Sequence, residues 1–282
     1  MIRIAIPNKG ALSEDAVALI KEAGYRCSRT GRELSVVDAA HEIEFIYLRP
    51  RDIAVYVSQG IIDIGITGRD LNLDAADPAH EALPLGFGRS TFRYAVPDAS
   101  DLTPATLHGK RIACSYANIV RRDLERRGVD AKIITVDGAV EVSVRLGVAD
   151  AVADVVESGQ TLRDAGLKTV GDAVMESEAI VVAKSRAALA HPTVAVFLRR
   201  LEGIVRAREY AMIEYDAPKA RQDEFAAVTP GIGGPTISPL AHPDWVAIKA
   251  MLKKKGANDV IDKLHEMGAK GIVLFELKTC RL

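Results

Sequence analysis

A single aspartate inside an apolar strand, followed at once by a glycine-opened loop, is where chemistry concentrates in this chain. Ala151-Val152-Ala153-Asp154-Val155-Val156 is small or β-branched throughout except at Asp154. A carboxylate carried into such a run is costly unless something pairs with it. The loop Glu157-Ser158-Gly159-Gln160-Thr161 comes next and opens a helix whose first apolar residue is Leu162. Successive backbone N–H groups at a helix start make an anion site, and a glycine there lets a phosphate approach the backbone closely. A carboxylate for hydroxyls, ahead of a cradle for phosphate, suits a sugar phosphate. Ser-Gly turns that merely join a strand to a helix are also common, and the loop alone favours that plainer reading.

Further candidates sit where predicted strands end. Ile2–Ile6 reads as a short strand broken by Pro7-Asn8-Lys9-Gly10, and Ser13 reads as the cap of the next helix. Strands at Glu44–Leu48 and Ile61–Ile66, with a helix from about Pro50 between them, end at Arg49 and at Thr67-Gly68-Arg69-Asp70. In open α/β sheets such positions converge on the ligand crevice. Lys9 and Arg49 can hold phosphates there and Asp70 can orient a polar group; each alone is more often an ordinary surface charge, and their shared location at strand ends makes the two readings even. Tyr116 follows a strand at Arg111–Ser115 and faces the same crevice, or packs half-buried beside it. Arg121, Arg122, Arg126 and Arg127 are balanced by Asp123 and Glu125 and read as a solvated helix face.

Composition narrows the function class. The chain has 282 residues, enough for about two domains. A formal charge of −1 supplies no basic field for nucleic acid, and 5% aromatic residues argue against stacking platforms. Neither a nucleic-acid nor a membrane partner is expected. Cys27, Cys114 and Cys280 show neither metal spacing nor a disulfide framework. The opening MIRIAIPNKG reads as strand and turn, not as a signal peptide, so a cytoplasmic protein is expected. None of the six histidines has metal-ligand spacing, and no Walker or dinucleotide fingerprint is present.

From Tyr210 the pattern changes. Strands at Tyr210–Tyr215, Thr236–Leu240, Val246–Leu252 and Gly271–Leu277 alternate with helices at Lys219–Ala227 and Asn258–Met267. The order βαββαβ is that of a ferredoxin-like unit, with no visible catalytic constellation.

The segment EVSVRLGVADAVADVVESGQTL, with Glu141, Gly147, Ala149, Val152, Asp154, Ser158, Gly159, Thr161 and Leu162 at this spacing, resembles the signature of the ATP phosphoribosyltransferases that open histidine biosynthesis. IPNKGAL, LRPRDIAVYV and DIGITGRDL resemble that family's N-terminal motifs, and VTPGIGGPTISPL its long-form C-terminal domain. The resemblance implies an α/β fold with a two-lobed, type II periplasmic-binding-protein-like catalytic part and the ferredoxin-like βαββαβ domain. The expected bounds are 1–90 with 184–209 for one lobe, 91–183 for the other, and 210–282 for a regulatory domain. It implies that Asp154, Glu157, Ser158, Gly159, Gln160, Thr161 and Leu162 bind phosphoribosyl pyrophosphate. Lys9, Arg49, Asp70, Leu71 and Tyr116 would bind ATP. Asp154 and Glu141 would serve the chemistry, with magnesium (Mg2+) arriving on the pyrophosphate. The C-terminal domain would take L-histidine as inhibitor; Asp216 could meet its ammonium or instead cap the following helix, and Thr236 could supply a hydroxyl or simply begin a strand. A homo-oligomer, dimer to hexamer, is implied. A solute-binding module shares the two-lobed plan. A prephenate dehydratase would need Thr-Arg-Phe, whereas the nearest string here is Thr91-Phe92-Arg93.

Overall fold

The apolar run after Met1 forms strand β1 (Ile2–Pro7), buried at every position except Arg3, in the computed structural model, which describes residues 1–31 and 33–282. Burial on both faces marks a strand of a parallel sheet covered by helices. Helix α1 (Ala11–Glu22) follows, but Ser13 does not cap it. Gly10 occupies the cap position with φ 79°, and Ser13, already inside the first turn, donates its Oγ to the Pro7 carbonyl at 2.6 Å. The hydroxyl thus satisfies the end of the strand instead of the start of the helix.

Strands β2 (Ser35–Asp38) and β3 (Ile43–Leu48) come next, then helix α2 (Pro50–Ser58), strand β4 (Ile64–Gly68), helix α3 (Arg69–Asp74) and strand β5 (His80–Pro84). Proline at the first position of α2 has no N–H to leave unpaired and starts the helix sharply. Strand β6 (Ser90–Pro97) then enters a second sheet, followed by β7 (Arg111–Cys114), α4 (Ala117–Arg127), β8 (Lys132–Thr135), α5 (Val142–Arg145), β9 (Ala151–Val156), α6 (Gln160–Asp164) and β10 (Leu167–Ser177). Strand β11 (Ala179–Ala183) returns to the first sheet, and helix α7 (Pro192–Glu209) follows.

The two sheets repeat one plan. The first has the order β2-β3-β1-β4-β11-β5 and the second β10-β6-β9-β7-β8. In each, three strands run parallel (β3, β1 and β4; β8, β7 and β9), and the strand that has just crossed from the other lobe lies antiparallel beside the third. A further antiparallel partner flanks it, β5 in one sheet and β10 in the other. Two lobes of this topology joined by two crossings form the type II periplasmic-binding-protein-like fold. The crossings bond to each other: Leu85 N–H to Ala179 O and Ala179 N–H to Phe87 O, both at 2.9 Å. Because β11 pairs with β4 and β5, the second lobe ends at β10, before the expected limit of 183. The strands β2, β5, β6 and β10 escape the sequence reading.

Each lobe has its own core. Tyr25, Phe45 and Phe197 cluster in the first, with ring centroids 5.2–6.4 Å apart. In the second, Phe92, Tyr94, Ile112 and Leu124 fill one sheet face and Val140, Val152, Leu162 and Leu167 the other.

The chain divides into compact units at Met1–Leu198 and Arg199–Leu282, so the second begins within α7, ahead of the expected 210. That unit contains β12 (Tyr210–Pro218), α8 (Gln222–Val228), β13 (Thr236–Pro239), β14 (Trp245–Lys253), α9 (Ala257–Glu266) and β15 (Lys270–Glu276). Its antiparallel sheet, ordered β13-β14-β12-β15, is the ferredoxin-like arrangement. One face carries the core of Ile213, Tyr215, Phe225, Ile248 and Leu264. Among the described residues no helix is long and apolar enough to cross a membrane.

Candidate active site

Strand β9 ends at Val156, and Glu157–Gly159 turns the chain into α6. Gly159 makes that turn at φ 73° and ψ 7°, in the left-handed region that side-chain-bearing residues seldom adopt. An added Cβ would lie 3.1 Å from Arg163 Nη1 and 3.6 Å from Val156 Cγ1. Arg163 braces the loop from within, its Nη2 donating to Ser158 O and Gln160 Oε1, both at 3.0 Å. Glu157, Ser158, Gln160 and Thr161 are exposed. Leu162 is buried among Val140, Ala149 and Val152, so its side chain anchors the first turn of α6 in the core.

Two cavities flank this loop. One, of about 740 Å³, is lined by Glu157, Ser158 and Gly159 together with Arg93, Arg163 and Lys168. The other, of about 510 Å³, lies at the crossings and is lined by Arg69, Arg89, Glu157 and Ser177 among others. Thr91, Val156 and Glu157 line both.

Asp154 is half-buried, two residues before the end of β9. It sits opposite Arg93 in the sheet register, but Arg93 is taken up by Thr91 Oγ1 at 3.1 Å and Gly171 O at 3.3 Å. Among the described residues no Lys or Arg pairs with Asp154; its Oδ1 accepts only the Val155 N–H at 2.8 Å. Burial pushes its carboxyl above the ordinary aspartate range, and the nearby charges of Glu141 and Asp70 push it further. Glu141 has helical dihedrals as the residue preceding the single turn α5.

Asp70 reaches the same place from the other lobe. It stands in the first turn of α3, 7% exposed, with Leu71 half-buried beside it. Gly68 makes room, because a Cβ there would lie 2.3 Å from Asp70 Oδ1. Tyr116 completes the group. Burial raises its hydroxyl pKa strongly, and the Asp70 carboxylate adds to this by charge and hydrogen bonding, with Asp154 contributing charge. Phe92 meets the Tyr116 ring edge-on at 5.4 Å, and the Arg51 guanidinium lies 5.0 Å from its centroid. Asp154, Glu141, Asp70 and Tyr116 therefore converge.

Lys9 and Arg49 are brought together differently. The Asn8 N–H donates to Leu48 O at 2.9 Å, which extends the β1–β3 ladder and sets the two loops side by side, both basic residues exposed. Arg29, which sequence reasoning missed, donates Nη2 to Asn8 O at 2.9 Å and stacks 3.9 Å from the Tyr47 ring centroid. Arg51, Asp74, Arg163 and Ser177 were missed as well. Arg51 stands in the same LRPRDIAVYV string as Arg49; the others carry no local signal. Among the described residues no group of three or more His, Cys, Asp or Glu side chains is arranged to hold a metal ion.

In the second unit, Asp216 lies inside β12 and not at its end, paired with Ala247 of β14 and Lys270 of β15. Thr236 begins β13 opposite Lys249, which in turn faces Glu214 and pairs with it at 2.9 Å. By strand alternation both candidates point away from the helix-covered core, on one face of the sheet.

Comparison with known proteins agrees with this architecture. The profile of HisG, described as ATP phosphoribosyltransferase, matches residues 49–203, and the HisG C-terminal domain matches 207–279. The ATP phosphoribosyltransferase of Salinibacter ruber is 51% identical, and that of Corynebacterium efficiens 50%, each over 100% of both chains. A chain of the ATP phosphoribosyl transferase (HisG:HisZ) complex from Thermotoga maritima superposes with TM-score 0.64 at 26% identity, covering 73% of this chain and 99% of its own. With half its residues shared over full length and both segments matched, the chain belongs to the ATP phosphoribosyltransferase family of histidine biosynthesis, pentosyltransferases, in the long form that carries a C-terminal domain.

Proposed function

We propose that the chain joins ATP to phosphoribosyl pyrophosphate, giving phosphoribosyl-ATP and pyrophosphate as the first step of histidine biosynthesis. The observation that carries this reading is Asp154: a half-buried carboxylate without a basic partner among the described residues, leading directly into the Gly159 turn. In this reading the hydroxyls of the ribose satisfy Asp154, and its phosphate lies on the N–H groups of Glu157–Thr161 with the Ser158 and Thr161 hydroxyls. Asp70, Leu71 and Tyr116, with Lys9 and Arg49 at the adjoining strand ends, hold ATP.

The reaction is a displacement at the anomeric carbon. A bond forms from an adenine ring nitrogen to that carbon, and the bond to the pyrophosphate oxygen breaks. The ring nitrogen already carries a lone pair, so no strong protein base is required. The residues align two substrates and favour charge as it develops. Asp154, with Glu141 adding negative charge beside it, faces the sugar as positive charge builds on the ring. When bound, magnesium carried by the pyrophosphate substrate would supply positive charge to offset that of the leaving group.

The C-terminal unit is read as the site of feedback by L-histidine, with Asp216 meeting its ammonium and Thr236 a polar group. The enzyme is read as a cytoplasmic homo-oligomer. Purified protein is expected to release pyrophosphate only when ATP, phosphoribosyl pyrophosphate and magnesium are all present. Release without ATP, or cleavage of ATP to ADP, would refute the reaction.

A further inference from the structure

We propose that Ser177 is a positioning residue for the reaction, because its hydroxyl is committed entirely to Asp70 and fixes that carboxylate at the seam between the lobes. Ser177 is the last residue of β10, in the second sheet, and Asp70 stands in α3, beside the first. The Ser177 Oγ donates to Asp70 Oδ1 at 2.8 Å and accepts the Asp70 N–H at 3.1 Å. Both residues are buried, at 5% and 7% exposure. The inference rests on the proposed reaction, in which Asp70 serves ATP.

The arrangement has a backbone origin. Strand β4 pairs with β11 through Gly68 and Ala179, and the next rung is the Arg69 N–H to Glu178 O at 3.0 Å. At Asp70 the chain has turned into α3, whose first N–H groups have no partner within the helix. The Ser177 hydroxyl reaches across and takes that N–H, so a residue of the other lobe caps α3. The same oxygen then donates its proton to the carboxylate one residue into the helix. Glu178 holds the preceding residue in parallel: its carboxylate pairs with Arg69 at 3.3 Å and accepts the Gly86 N–H at 2.9 Å. Arg69 and Asp70 are thereby gripped by consecutive residues of the crossing.

The consequence for function is directional. Gly68, without a Cβ, lies beneath the Asp70 carboxylate, and Ser177 secures one of its oxygens. Asp70 is thereby held where its charge reaches Tyr116 and Asp154. Ser177 also lines the cavity shared with Glu157, yet among the described residues no hydrogen bond ties it to the phosphate loop. Loss of its hydroxyl therefore frees the ATP-side carboxylate and leaves the sugar-phosphate cradle intact.

The test compares Ser177→Ala and Ser177→Thr, each alone and with Asp70→Asn, using separate KM values for the two substrates and the Tm of each variant. Ser177→Ala is expected to raise KM for ATP about tenfold, the scale of one lost hydrogen bond to a charged group. KM for phosphoribosyl pyrophosphate is expected to stay within about twofold, and Ser177→Thr, which keeps the hydroxyl, is expected to restore most of the ATP effect. In the Asp70→Asn background Ser177→Ala should add little, because the two residues act as one unit. Equal shifts in both KM values, a fall in Tm with unchanged KM for ATP, or effects that multiply independently in the double variant would overturn the inference. Lack of turnover in the unmodified protein would remove the reaction and the inference together, and is distinguishable from each of those outcomes.

Discussion

Asp74, at the end of α3 in the first lobe, accepts the backbone N–H of Asn118, in the first turn of α4 in the second lobe, at 2.9 Å. The Ile119 N–H reaches the same Oδ1 at 3.3 Å, and Arg51 Nη1 binds Oδ2 at 2.6 Å. A buried carboxylate of one lobe thus caps the helix of the other, where the macrodipole favours negative charge. Arg51 extends the seam by donating Nη2 to Ser115 O at 2.9 Å, directly before Tyr116.

Removing that carboxylate is expected to destabilise the fold. Asp74→Ala leaves two α4 amides and the Arg51 guanidinium without their acceptor, at a cost of about 2 kcal/mol, the upper range for a lost N-cap. Asp74→Asn keeps one acceptor oxygen and should cost less. Urea unfolding measures both, and a change below about 0.5 kcal/mol for Asp74→Ala would place the contact among inert surface pairs.

The cradle predicts an ordered pair of defects. Gly159→Val forces a β-branched residue to φ 73° and sets its Cβ 3.1 Å from Arg163 Nη1. Backbone strain of that kind is worth about 1–3 kcal/mol. Thr161→Val removes only a hydroxyl, at about 1.5–3 kcal/mol if that hydroxyl holds a charged phosphate. Both variants are expected to raise KM for phosphoribosyl pyrophosphate, Gly159→Val more, since it also distorts the N–H groups. An unchanged KM in Gly159→Val would reduce the loop to a connection.

Asp154 predicts an unusual pH dependence of stability. Its carboxyl is raised above the ordinary value by burial, which the Val155 N–H opposes in part and the charges of Glu141 and Asp70 reinforce. Between the unfolded value, about 3.9, and the raised folded value, the folded chain binds the extra proton. Stability therefore falls as pH rises through that window and stays lower above it. Asp154→Asn is expected to raise Tm near neutral pH while abolishing turnover, and the gain should vanish below about pH 3, where both states of the wild-type group are protonated. A variant that melts lower than wild type at neutral pH would show that the carboxylate has favourable partners.

Regulation can be separated from chemistry through the C-terminal unit. If histidine binds on the sheet face that carries Asp216 and Thr236, inhibition is a coupling between distinct sites and is reciprocal. Asp216→Ala is expected to keep most of its turnover and to lose histidine inhibition. Full histidine sensitivity in that variant would remove Asp216 from the effector site.

Short-range patterns in the chain determined much of this protein. The apolar run with its aspartate became β9, the Ser-Gly loop became the left-handed turn into α6, and the four strands and two helices after Tyr210 lie within a few residues of their expected bounds. Periodicity and turn chemistry act over a handful of residues, so they are visible in one dimension. Strand β10 was not, because its pairing with β6 is broken by an irregularity between Val170 and Met175 and only its two end residues, Leu167 and Ser177, are buried.

The seam was decided by tertiary structure alone. Asp70 and Ser177 are 107 positions apart, and Asp74 and Asn118 are 44. Nothing in the local sequence of either partner announces the other. These contacts exist because two crossings bring the C-terminal end of β10 beside the first turn of α3, and α4 beside its last. The sequence by itself supplied a carboxylate, a phosphate-ready loop and a tyrosine at three strand ends. Only the closure of two similar sheets on each other put Asp154, Glu141, Asp70 and Tyr116 within electrostatic reach, where burial could act on them together.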